Sequence, residues 1–167
     1  HILSTSRAMN EDKADYISTD AEYKSSLTSS IAEKEQALQA AKDKKTAADK
    51  AVKSAENDLA SAKSAQVDAQ TKLNAAQNAI AKAQKAYDDA LAVKEQTPAA
   101  QAKVVETAKA LETAKDELAT AKSNLANLQQ VRAQRESELK DAKAKLVAQE
   151  EDLKLALKTA IDAENDL

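Results

Sequence analysis

The side chains able to do acid–base or metal chemistry in this sequence are almost all carboxylates. His1 is the single histidine, at a terminus, and there is no cysteine. A metal site would have to be built from carboxylates alone. The candidate clusters are Asp88 with Asp89, Glu136 with Glu138, and Glu150, Glu151 and Asp152. Each lies among lysines, and this interspersion reads as the solvated face of a helix rather than a ligand set. With no glycine there is no phosphate-cradling loop, and no Ser-His-Asp set is present. The expectation is a chain with no catalytic residues, no metal, no cofactor and no small-molecule substrate. One set of residues keeps functional potential. Met9, Tyr16 and Tyr23 are seven apart, which puts them on one stripe of a helix. Tyrosine offers a large apolar face and a polar tip, as interfaces favour. This stripe is the candidate partner-binding surface; the plainer alternative is a face that packs on another helix, missing or symmetry-related.

The elements that must position these residues follow from composition. The chain has 167 residues with no Gly, Cys, Trp or Phe and one Pro, at position 98. It has little means of making tight turns or a broad globular core, and much of its 43% hydrophobic content is alanine. Rich Ala, Glu, Lys and Leu content with apolar periodicity reads as long helix or coiled coil. Lys+Arg 25 against Asp+Glu 28 gives a net charge of -3, without the basic excess that nucleic-acid binding favours. Lys-rich stretches such as Lys42-Asp43-Lys44-Lys45 lack the aromatic interleaving of single-strand binders. No stretch approaches the roughly 18 apolar residues of a membrane span. The start at His1 without a signal peptide reads as a fragment of a longer protein.

The apolar pattern is a heptad. Ile31, Leu38, Lys45, Val52, Leu59, Gln66, Leu73, Ile80 and Tyr87 form one series, and Lys34, Ala41, Ala48, Ala55, Ala62, Ala69, Ala76, Ala83 and Ala90 a second, three residues on. After the proline the design repeats. Val104, Leu111, Leu118, Leu125, Arg132, Leu139, Leu146 and Leu153 are accompanied by Thr107, Ala114, Ala121, Leu128, Arg135, Ala142, Gln149 and Ala156. Such sustained spacing is a coiled-coil seam.

The junction reads Glu95-Gln96-Thr97-Pro98. Thr97 can cap a following helix and Pro98 suits its first position. A kinked continuous helix would instead carry a proline cost of about 3 kcal/mol. The expectation is an all-α fold, a long antiparallel two-helix coiled-coil hairpin of helices 30–95 and 98–165 with the turn near 95–98. Folding back there pairs residues whose numbers sum to about 194, as an antiparallel seam requires. Val52 then meets Ala142, Leu73 meets Ala121, Ala69 meets Leu125 and Ala76 meets Leu118. Large meets small almost throughout, which allows close helix approach. Gln66, Arg132 and Arg135 interrupt the seam and are expected to form a polar layer that fixes register. Tyr87 falls in the core.

Residues 28–167 thus form the hairpin. Residues 1–27 have nothing opposite them and form an N-terminal helical extension or short third helix. Residues 1–6 lack a helical period and are expected to fray. Ser30-Ile31-Ala32-Glu33 matches a capping box at which a helix could restart.

The stretches Ala51–Leu59, Ala79–Tyr87 and Leu111–Leu118 resemble the Ala/Lys-rich helical regions of Gram-positive, notably streptococcal, wall-anchored surface proteins and adhesins. The resemblance is one of style over residues 30–165. It implies a cell-surface location, wall-anchored or secreted, and a role in virulence. In that family such regions project a binding domain from the wall or themselves bind host proteins such as complement regulators, immunoglobulins or lactoferrin. Two functions follow as expectations: a non-catalytic stalk of about 100 Å, from a rise of about 1.5 Å per residue, or a helical module that binds a host protein. An arm of an intracellular coiled-coil protein is a third reading. In each, the partner is a protein, with no nucleic acid and no membrane contact.

Overall fold

The computed structural model describes the backbone of residues 2–166 and the side chains of residues 19–166. It is all-α: α1 (Ile2–Leu91) and α2 (Pro98–Asn165) run antiparallel and pack against each other, as the heptad pattern requires. No strand occurs among the described residues.

Two features of the chain explain where the helices stop. Thr97 is the N-cap of α2: its Oγ1 accepts the backbone N–H of Ala100 at 3.1 Å, and its carbonyl oxygen accepts that of Gln101 at 2.9 Å. Pro98 takes the first helical position, where no N–H is needed. The end of α1 corrects the sequence expectation. The helix stops at Leu91, not near 95, and the connection spans residues 92–97. Ala90 is the last buried residue of α1. The next core positions are Lys94 and Thr97, which offer the seam nothing apolar. The chain has no glycine and no described residue has positive φ, so the usual left-handed helix stop is unused and a longer crossing is needed. Glutamines tie that crossing down. Gln96 Nε2 donates to the Val93 carbonyl at 2.6 Å, and Gln101 Nε2 to the Gln96 carbonyl at 3.2 Å.

α1 is continuous from Ile2, so no helix restarts at Ser30 and residues 2–27 are the first part of α1 rather than a third helix.

The chain divides into two compact units, residues 1–52 with 142–167 and residues 53–141. In the second unit the core is the seam itself. Ala69, Leu73 and Leu125 form a buried cluster packed by Leu118, Ala121 and Leu128. These are the large-against-small pairs of the antiparallel register. Ala62, Ala90, Leu111 and Ala114 are also buried in this unit, and Tyr87 is half-buried in its core position. Thr107, also buried, satisfies its hydroxyl within its own helix by donating to the carbonyls of Lys103 and Val104.

In the first unit the same seam holds Ala41, Ala48, Val52 and Ala160 buried, with Ile31, Leu38, Leu146 and Leu153 half-buried. The core here is narrow, two residues per heptad, and the other faces of both helices are largely exposed.

Candidate functional site

The carboxylate clusters are placed as surface charge. Asp88 and Asp89 are exposed near the end of α1, and Asp88 accepts a hydrogen bond from Gln84 Nε2 at 2.9 Å. Glu136 is paired with Arg132 at 3.0 Å, and Glu138 with Arg135 at 3.0 Å. Glu150 is half-buried while Glu151 and Asp152 are exposed. Among the described residues no group of three His, Cys, Asp or Glu side chains is arranged to hold a metal ion.

Of the apolar-aromatic stripe, the side chains of Met9 and Tyr16 lie outside the described residues. Tyr23 lies on α1 and is 61% exposed. One residue on, Lys24 pairs with Asp20 at 3.6 Å, and its carbonyl accepts the Thr28 hydroxyl. Tyr23 is thus a large ring on a helical surface with charged neighbours, free of the seam.

The polar interruptions are built as two layers. In unit 53–141, Arg132 Nη1 donates across the helix pair to Gln66 Oε1 at 3.2 Å, while its Nε donates to Glu136. Long side chains on a helix generally lean toward its N-terminus. In antiparallel helices those directions converge, which is why residues one turn out of level meet. Arg135 lies half-buried along the seam and sends its guanidinium to Glu138. In the other unit the register sets Lys45 opposite Gln149. Lys45 Nζ is held by Asp49 at 3.0 Å, and Gln149 Oε1 is buried with no hydrogen-bond partner. The residues of this second layer stood in the heptad series without being recognised as a layer.

A further feature was missed altogether. Within unit 53–141 an open groove of about 960 Å³ runs along one flank of the seam. Its floor includes Ala65, Ala69, Ala76, Ala79 and Ala121, and its rim carries Asp68, Lys72, Asp116 and Glu117. The cause is in the residues next to the seam. The register places Ala65 opposite Val131, Lys72 opposite Asn124, Ala79 opposite Glu117 and Ala86 opposite Ala110. Every such layer has at least one short side chain, so the seam is left uncovered. The other flank carries Glu56, Lys63, Gln70, Gln77 and Gln84 on α1, against Ala108, Lys115, Lys122, Gln129 and Glu136 on α2. Long stems of that kind cover apolar surface while keeping their heads in water.

No described helix is long and apolar enough to cross a membrane. No protein-family model matches the chain, and neither a curated protein nor a solved structure shows significant similarity to it.

Proposed function

We propose that this chain is a non-catalytic helical stalk, or spacer, of a bacterial cell-surface adhesin, wall-anchored or secreted and serving virulence. The observation that supports it best is the two-residue-per-heptad seam. In each unit that seam holds two helices side by side and leaves most positions outside it exposed. A chain built in this way converts length in residues into distance at about 1.5 Å per residue. Exposed charge of both signs, with a net charge of -3, keeps such a surface wetted. The location rests on the Ala/Lys-rich style of the helices.

Tyr23, 61% exposed, favours a second reading, in which the helix binds a host protein through the N-terminal stripe. A surface-binding panel of complement regulators, immunoglobulins, fibrinogen and lactoferrin separates the two. A stalk gives no saturable binding. A binder gives saturable binding that the Tyr16→Ala/Tyr23→Ala double variant abolishes while leaving the melting of the helix pair nearly unchanged. Antibody labelling of intact cells that express the full-length protein tests the location. Staining only after permeabilisation contradicts it.

A further inference from the structure

We propose that the bare flank of residues 53–141 is covered by the same flank of a second copy of this chain, so that two hairpins stack into an antiparallel four-helix arrangement. The proposal does not depend on where the protein resides or on its acting as a stalk.

The two flanks of this unit differ in kind. One is roofed by Gln, Lys and Glu stems, as expected of a hairpin that faces water on both sides. The other exposes the seam along the groove between Ala65 and Ala79 on α1 and Thr113 and Leu128 on α2. A helix that packs against more than one neighbour carries small or apolar residues beside its core positions as well as in them. Ala65, Ala79, Ala86, Ala110 and Val131 follow that rule, and Val131 is half-buried.

Charge selects the occupant. On this flank α1 carries Lys72 and, seven residues after Ala75, Lys82. The α2 side of the groove carries Asp116 and Glu117 and no lysine. A second copy related by a two-fold axis parallel to the helices sets α1 of each hairpin over α2 of the other at matching levels. Lys82 of one copy then lies within one helical turn of Asp116 and Glu117 of the other, while Lys72 faces Asn124 about 10 Å along the axis from Glu117, and each contact occurs twice. Asp68, the acid on the α1 side of the groove, falls near Asn124 and Asn127 of the second copy, whose amides can donate to it. Every helix then has antiparallel neighbours. Among the described ion pairs none uses Lys72, Lys82, Asp116 or Glu117, so the stacked copy takes no charge away from the hairpin.

On α1 the groove runs from Ala65 to Ala79, about 21 Å at a rise of about 1.5 Å per residue. That is short of what a tight permanent dimer buries. The association is therefore weak, with a dissociation constant of roughly 10–500 µM.

Sedimentation equilibrium of the whole chain from about 10 µM to 1 mM spans that range. The expected result is a reversible monomer–dimer equilibrium. The Lys72→Glu/Lys82→Glu variant and the Asp116→Lys/Glu117→Lys variant should each dimerise at least about tenfold more weakly, as like charges then face across the interface. An equimolar mixture of the two variants should recover association. Gln77→Glu, on the roofed flank, should leave it unchanged. Circular dichroism of each variant confirms that the helices persist. A chain that stays monomeric at the top of the range, as it would if a different protein covered this flank, overturns the proposal. So do dimers indifferent to both charge reversals, or a mixture that does not associate.

Discussion

Removing three carbons from the seam at Leu73 tests whether this pattern of large on small is what holds the helices together. Leu73 is 9% exposed and packs in the cluster of Ala69 and Leu125 with Leu118, Ala121 and Leu128. Fully burying a leucine side chain contributes about 1.5–3 kcal/mol. Leu→Ala changes in globular cores cost about 2–5 kcal/mol because a cavity term adds to the transfer term. Here the cavity term is small. Ala69, Ala76 and Ala121 beside Leu73 also line the open groove, so water can reach the space left behind. The alanines among the neighbours, Ala69, Ala76 and Ala121, have no side chain to swing into the gap. Leu73→Ala should therefore cost about 2–3 kcal/mol, the lower end of the range. For a chain of this size, about 2–4 °C per kcal/mol converts that to a fall of roughly 4–12 °C in Tm. Thermal melting followed by circular dichroism, backed by urea titration, measures it. Val67→Ala, at a position 65% exposed, is the control and should stay within about 0.5 kcal/mol of the parent. Equal melting of the parent and Leu73→Ala would refute the seam as the source of stability.

Other outcomes follow from single contacts. Thr97→Ala removes the acceptor for the Ala100 N–H and should cost about 1 kcal/mol; Thr97→Asn should restore most of it in the same melt. Gln149→Leu replaces a side chain whose buried oxygen has no partner and should stabilise the chain by about 1 kcal/mol, read by urea midpoint; destabilisation would mean that the amide is hydrogen-bonded in solution. Arg132→Leu with Arg135→Leu should raise Tm, because it removes a polar interruption from an apolar seam. It should also broaden the distribution of interhelical distances measured between spin labels, because the Arg132–Gln66 bond no longer marks the register. A sharp fall in Tm would show that these arginines contribute more than register.

The legible part of this structure is the part that repeats. A heptad fixes which residues face the partner, so the seam could be read from Ile31 to Ala156, and each of those positions is buried or half-buried. Register followed from one local feature, the Thr97-Pro98 start of α2. The end of α1 was misplaced because the first-helix pattern gives no stop signal of its own. Lys94 sits at a core position that earlier lysines, such as Lys45, occupy without breaking the helix. The polar layers were visible as residues but not as bonds. Whether Arg132 reaches Gln66 depends on the opposing lean of two side chains, which no spacing encodes. The groove was legible in principle. Its signal is the contrast between Ala65, Ala79 and Ala86 on one flank and Gln70, Gln77 and Gln84 on the other, and it lies in rows that a search for core positions passes over. For the stripe of Met9, Tyr16 and Tyr23, the structure adds only the exposure of Tyr23.

The most direct test of the fold-back is one distance. Asn57 on α1 and Asp141 on α2 are both exposed and lie in the same compact unit. Spin labels at these two positions, in chains diluted with unlabelled protein so that only intramolecular pairs report, give their separation. Helices packed at about 8–10 Å, with the reach of two label arms added, place the labels about 15–30 Å apart. A kinked single helix would hold them beyond about 60 Å, because every residue between them would add about 1.5 Å of rise. A narrow distribution in the shorter range is the predicted result, and a separation above about 60 Å would contradict the antiparallel hairpin and the pairing drawn from it.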